Sequence, residues 1–153
     1  MKRTVISNIL VAVDGSLVSR KAAMYAVELA NGLNASVTFI SVIDNTAYTG
    51  RTVIPAAVTP TRITEPVEDY LRRAAEAFTS RLEKACEQRN VTAKSVIRVG
   101  SPVEEILKEG RRSKADLIVA GSHGRSAAEA VLLGSVAFGL VHRSRKTPVL
   151  IVR

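Results

Sequence analysis

Unbroken apolar runs alternate along this chain with stretches in which apolar residues recur every three or four positions, and that alternation predicts most of its elements. Residues 8–13, Asn-Ile-Leu-Val-Ala-Val, are the first run. A run without polar interruption predicts a strand covered on both faces of a sheet. It ends in Asp14-Gly15-Ser16, a turn trio whose Ser16 hydroxyl can cap a following helix. Ala23, Ala26, Val27, Ala30 and Leu33 give that helix a narrow face of mostly small residues, and Gly32 with Asn34 closes it. Residues 35–43 predict the second strand.

The middle of the chain is less regular. Between 44 and about 65 there are Gly50, Pro55, Pro60 and scattered threonines but no period, which predicts a long loop, a functional lid or a disordered connection. Pro66 suits the first turn of a helix reaching Arg89, with Val67, Leu71, Ala74, Ala75, Phe78, Leu82, Ala85 and Cys86 on its inner face. Residues 91–99 alternate weakly and predict a third strand near a sheet edge. In Gly100-Ser101-Pro102-Val103-Glu104, Ser101 caps a helix, Pro102 takes its first position and Glu104 completes a capping box. Val103, Ile106 and Leu107 face inward, and Gly110 with Arg111 and Arg112 ends the helix. Residues 116–120 are the fourth apolar run. Residues 147–152 are the fifth, with Pro148 at the start, where a missing N–H is tolerated.

Strands and helices in this order imply right-handed crossovers and an α/β fold: an open, doubly wound, five-stranded parallel sheet with helices on both faces. At 153 residues one domain, 1–153, is expected, burying roughly two-thirds of its unfolded surface. No apolar run approaches the ~18–20 residues of a membrane span, so no membrane partner is expected. Met1-Lys2-Arg3-Thr4 leads straight into a strand pattern without a signal-peptide core, and Cys86 is the sole cysteine, excluding an internal disulfide. Both point to the cytoplasm. The net charge of +8 is dispersed as pairs such as Arg20-Lys21, Arg72-Arg73 and Arg111-Arg112, with no interleaved aromatics. It reads as a solvated basic surface that draws in small anions, ahead of a nucleic-acid or other polyanion partner.

Candidate chemistry gathers after the fourth run, in Gly121-Ser122-His123-Gly124-Arg125-Ser126 and, after nine residues counted from Gly124, in Gly134-Ser135. Glycines let a backbone approach an anion, and a helix N-terminus behind them offers unpaired N–H groups. Asp14-Gly15-Ser16 is not the G-x-G-x-x-G of a dinucleotide fold, and no G-x-x-x-x-G-K-[ST] is present. Ligands of open parallel sheets sit beyond the carboxyl ends of strands. Asp14, the start of the long loop and the Gly121 motif all lie at such ends. Two readings stand. The motif is a cradle with two edges, in which Gly134-Ser135 returns beside Gly124, or it is a plain strand-to-helix turn with Gly134 as a packing notch.

Several segments together resemble the universal stress protein family: Ile9-Leu10-Val11-Ala12-Val13-Asp14-Gly15-Ser16, Gly100-x-Pro102 with Ile106, the Gly121 motif, Leu132-Leu133-Gly134-Ser135-Val136 and the closing Thr147-Pro148-Val149-Leu150-Ile151-Val152-Arg153. The resemblance covers essentially the whole chain, and the glycine spacing is that of the members that bind ATP. It implies a Rossmann-like, adenine nucleotide alpha hydrolase-like fold with strand order 3-2-1-4-5. It further implies that Gly121, Gly124, Gly134 and Ser135 hold the phosphates of ATP (or ADP or AMP), helped by Arg125 and Ser126, with Ser122, His123 and Val136 in the same lining. Ala12, Val13 and Asp14 would lie near the ribose and triphosphate, Asp14 reaching a Mg²⁺ through water, and Val42 would bond the adenine edge through its backbone. A homodimer through the terminal strand, antiparallel to its copy, is implied as well. The chain departs from the family pattern at Ala127-Ala128-Glu129-Ala130, where Glu129 faces either the γ-phosphate or solvent, and at Phe138-Gly139.

No set of His, Asp and Ser and no paired carboxylates accompany the motif, so the sequence favours a nucleotide-binding regulatory or stress-response protein with at most slow ATP hydrolysis. His123 sits between two glycines, in phosphate contact or incidental, and His142 reads as a surface residue. The other readings are a genuine ATP hydrolase or nucleotidyl-transferring enzyme centred on Asp14 and His123, or a basic-surface polyanion binder.

Overall fold

A computed structural model describes residues 5–45, 67–124 and 133–153. The elements are β1 (Asn8–Ala12), α1 (Leu17–Leu33), β2 (Ser36–Ile43), α2 (Val67–Glu87), β3 (Ala93–Val99), α3 (Pro102–Arg112), β4 (Leu117–Gly121), α4 (Ser135–Arg143) and β5 (Val149–Val152). The sheet has the order β3-β2-β1-β4-β5, and every pairing is parallel. The 44–65 loop beyond Asn45, and with it Pro66, Arg125, Ser126, Ala127, Ala128, Glu129 and Ala130, lies outside the described residues.

β1 sits at the centre because its side chains are apolar on both faces. Ile9 and Val11 join Phe39, Val37 and Val119 in the layer under α1 and α2, whereas Leu10 joins Ile40, Ile118 and Ala120 under α3 and α4. Phe39 is wholly buried, worth about 1.5–3 kcal/mol of transfer free energy. Ala22, Ala23, Ala26 and Ala30 let α1 lie close on the sheet. The approach is closest at the end of β4, where a Cβ on Gly121 would fall 2.9 Å from Val18 Cγ1 and 3.2 Å from the Val18 carbonyl carbon. Strand order reverses between β1 and β4, and a crevice opens beyond their carboxyl ends.

Helix ends and surfaces depart from expectation in instructive places. Leu33 is 43% exposed, since α1 has run past the sheet by then. Asn34 alone closes the helix, with φ +58° and its N–H bonded to Ala30 and Asn31, while Gly32 remains helical. The Ser101 capping box does not form: Ser101 makes no side-chain cap bond, and Glu104 reaches across to Arg143 on α4 at 3.6 Å. Val67 and Ala74 are exposed on α2. At 1.5 Å per residue its 21 residues span about 31 Å, whereas the seven of β3 span about 23 Å, so the helix is longer than the edge strand it packs beside. Thr79 is buried instead, its hydroxyl bonded to the Glu76 carbonyl at 3.2 Å.

Cys86 is fully buried, and burial, with Glu83 beside it, pushes its thiol up to about 11. It is a core residue and an inert one. The edge strand β3 is clasped to α3 by the buried Glu109 carboxylate, which accepts from Arg98 Nη2 at 2.8 Å and Arg98 Nε at 3.2 Å, and from Arg112 Nη1 at 3.3 Å. Among the described residues no helix is long and apolar enough to cross a membrane.

Candidate functional site

A cavity of about 300 Å³ lies beyond the carboxyl ends of β1, β2 and β4. Every site residue expected from the sequence that falls within the described residues lines it: Ala12, Val13, Asp14, Val42, Gly121, Ser122, His123, Gly124, Gly134, Ser135 and Val136. Arg125 and Ser126 are outside the described residues.

The β1 side is a turn braced by its own side chains. Gly15 takes φ +80°, a conformation that favours glycine. Asp14 Oδ1 accepts from Ser16 N–H at 2.9 Å, and Ser16 Oγ caps α1 by accepting from Ser19 N–H at 3.1 Å. Ser19 Oγ in turn accepts from Asp14 N–H at 3.3 Å and donates to the Ser16 carbonyl at 3.0 Å. The other Asp14 oxygen, Oδ2, lies 2.9 Å from where a Cβ on Gly124 would be, so the two strand exits touch only because residue 124 lacks a side chain.

The second edge of the motif returns to the first. Gly134 N–H donates to the Ser122 carbonyl at 2.6 Å. A Cβ on Gly134 would meet that oxygen at 3.1 Å and the His123 Cα at 3.3 Å. Gly134 is the N-cap of α4 with no side chain to cap it, and the first turn carries no acidic residue. Helix geometry leaves the N–H groups of Ser135, Val136 and Ala137 without intrahelical acceptors, and all three residues line the cavity. The site thus holds a cluster of donors backed by the positive end of a helix dipole. Ser122 Oγ lies 2.9 Å from His123 Nδ1.

The remaining wall is apolar, from Ile40, Ile106, Ala120 and Pro102. Val42 adds backbone groups. Val13 N–H bonds the Ile40 carbonyl, and the Ile43 carbonyl accepts from Gly100 on the opposite side. By strand alternation Val42 therefore directs its N–H and carbonyl toward the β1 side, two residues past Ile40, where β1 has already ended. An apolar slot with an adjacent backbone donor and acceptor, leading into a donor-rich pocket, suits a flat heteroaromatic ring joined to an anion.

Sequence reasoning did not single out Ser19, Asp44 and the apolar wall. Asp44 follows the last residue of β2, and its position at a strand carboxyl end was the available signal. Ser19 lies in the first turn of α1 with nothing in its neighbourhood to mark it. Among the described residues no group of three or more His, Cys, Asp or Glu could hold a metal ion.

Comparison with known proteins bears on the family and the fold. The model of the universal stress protein family matches residues 6–153. Universal stress protein MJ0531 of Methanocaldococcus jannaschii is 32% identical over 145 residues, covering 95% of this chain and 81% of that protein. The structure of the hypothetical protein MJ0577 from the same organism superposes with a TM-score of 0.76 at 25% identity, over 97% of this chain and 96% of that one. A universal stress protein solved in complex with cAMP has the same fold, with a TM-score of 0.69 at 23% identity, over 97% and 98% of the two chains.

Proposed function

The chain belongs to the universal stress protein family, and we propose that it is an ATP-binding member: one cytoplasmic domain acting as a nucleotide-dependent regulatory or stress-response protein, with at most slow hydrolysis. The observation that carries this reading is the closure of the motif, in which Gly134 bonds back to Ser122 and the uncapped start of α4 lines the same cavity as Gly121 and Gly124. Adenine lies against Ile40 and Ile106 with its edge on the Val42 backbone, the ribose lies near Ala12, Val13 and Asp14, and the phosphates lie on the Gly124 and Gly134–Ser135 edges. ADP and AMP fill part of the same space.

Mg²⁺ fits here as a companion of the phosphates. It usually keeps several waters and takes one or two carboxylates besides phosphate oxygens, and Asp14 offers one carboxylate beside the glycine loop. Calorimetric titration with ATP and Mg²⁺ tests the reading, with saturable binding expected for ATP and weaker binding for adenosine. Absence of heat with either would reject it.

The free edge of β5 supports a homodimer through Val149–Val152, antiparallel to its copy. Pro148 and Val152 direct their carbonyls to β4 and its exit, so Val149 and Ile151 present their backbone groups at the open edge. Ile151→Pro removes an edge donor and leaves the β4 ladder intact. Sedimentation is expected to give a dimer for the wild type and a monomer for this variant; a variant that remains dimeric rules out the interface.

A further inference from the structure

The two strands that end the sheet differ in charge. β5, Val-Leu-Ile-Val, carries no charged side chain, whereas β3, Ala-Lys-Ser-Val-Ile-Arg-Val, carries two cations. Backbone bonds fix which groups of β3 are left over. The Thr92 carbonyl accepts from Val37 at 2.9 Å, and Gly100 N–H donates to the Ile43 carbonyl at 3.0 Å. The even-numbered residues of the strand therefore pair with β2, and Ala93, Ser95, Ile97 and Val99 direct their N–H and carbonyl groups away from the sheet. Among the described residues no hydrogen bond reaches those groups.

Lys94, Val96 and Arg98 share the α3 face of this strand, where Val96 packs in the α3 layer and Arg98 meets Glu109. Lys94 is exposed, and among the described residues no carboxylate engages it. Glu109 is shared between Arg98 and Arg112, whose side chains remain 34% and 65% exposed. Lys94, Arg98 and Arg112 thus face the single carboxylate of Glu109, and this margin of the sheet carries excess positive charge. A second copy of β3 laid against it would set cation against cation. The charge that bars self-pairing favours an acidic strand.

We propose that the outer edge of β3 is a docking surface for an acidic, extended segment of a partner protein, added to the sheet antiparallel to β3. The outward backbone groups hold the segment, and Lys94 and Arg98 select it. In that pairing both cations occupy non-hydrogen-bonded positions, where opposing side chains come closest. They stand about 13 Å apart along the strand, so the segment presents two carboxylates at the same spacing with an apolar residue midway, opposite Val96. Nucleic acid matches the charge but lacks the alternating donors and acceptors of a strand.

The test is a proton–nitrogen NMR titration of the full chain with the capped peptide Thr-Glu-Thr-Val-Thr-Glu-Thr. The Ser95 and Ile97 amide signals are expected to shift and their hydrogen exchange to slow, with Ile151 at the opposite edge unmoved. Lys94→Glu is expected to weaken this peptide by roughly 3–10-fold and to strengthen, by a similar factor, the peptide with Lys in place of both Glu. Ile97→Pro, which removes an outward N–H and leaves the β2 ladder whole, is expected to abolish the shifts. No shift at millimolar peptide would overturn the proposal, as would equal affinity of Lys94→Glu and the wild type. A single-stranded oligothymidylate that moves the same amides at lower concentration than the peptide would also overturn it and assign the edge to nucleic acid.

Discussion

Two strand-to-helix turns open onto the same cavity and are built on opposite plans. After β1, Asp14, Ser16 and Ser19 satisfy one another, and the start of α1 is capped by its own serine. After β4, the returning Gly134 brings no side chain, and among the described residues no side chain caps the first N–H groups of α4. A helix N-terminus carries about half a positive charge, and whether a serine or a ligand meets it decides what the turn is for. The first turn supplies a fixed carboxylate and rigidity. The second supplies donors for an anion. Both are needed because Asp14 Oδ2 rests against Gly124, so the rigid turn sets the position of the receptive one.

Substitution at that contact has the largest expected effect. Gly124→Val drives a side chain into the Asp14 carboxylate from an exposed loop position. It is expected to weaken ATP by about a hundredfold or more, roughly 2.7 kcal/mol or above, with a melting temperature close to the wild type. Equal ATP affinity in the variant would break the coupling of the two turns. Asp14→Asn should act less strongly. It keeps an oxygen for Ser16 but removes the charge, so Mg²⁺·ATP is expected to weaken by roughly 3–10-fold and ATP without the metal hardly at all. A loss that is the same with and without Mg²⁺ would place Asp14 at the ribose only.

Ser16→Ala sharpens the contrast from the other side. Loss of the cap should cost about 1 kcal/mol of stability in denaturant unfolding, with little change in ATP affinity. A variant that instead bound ATP poorly at unchanged stability would mean that the capped turn is itself a phosphate site.

The same contrast marks how much could be read from the residues alone. The central strands were legible because burial on both faces leaves unbroken apolar runs, and the Ser16 cap because Ser after a Gly turn acts within its own neighbourhood. The glycine spacing named the two edges of the cavity, although only the fold brings Gly134 onto Ser122. What escaped depends on partners distant in sequence. Glu104 forsakes its capping box for Arg143, thirty-nine residues on. Arg98 and Glu109 form their clasp across a strand–helix packing that no local pattern announces. Leu33, Val67 and Ala74 continue apolar periods at positions that the fold leaves exposed.

The most direct measurement is to denature the purified chain and chromatograph what it releases. Stoichiometric release of an adenine nucleotide by the wild type, and none by Gly124→Val, is the expected result. Release of no nucleotide, together with no heat on titration with ATP and Mg²⁺, would contradict the account.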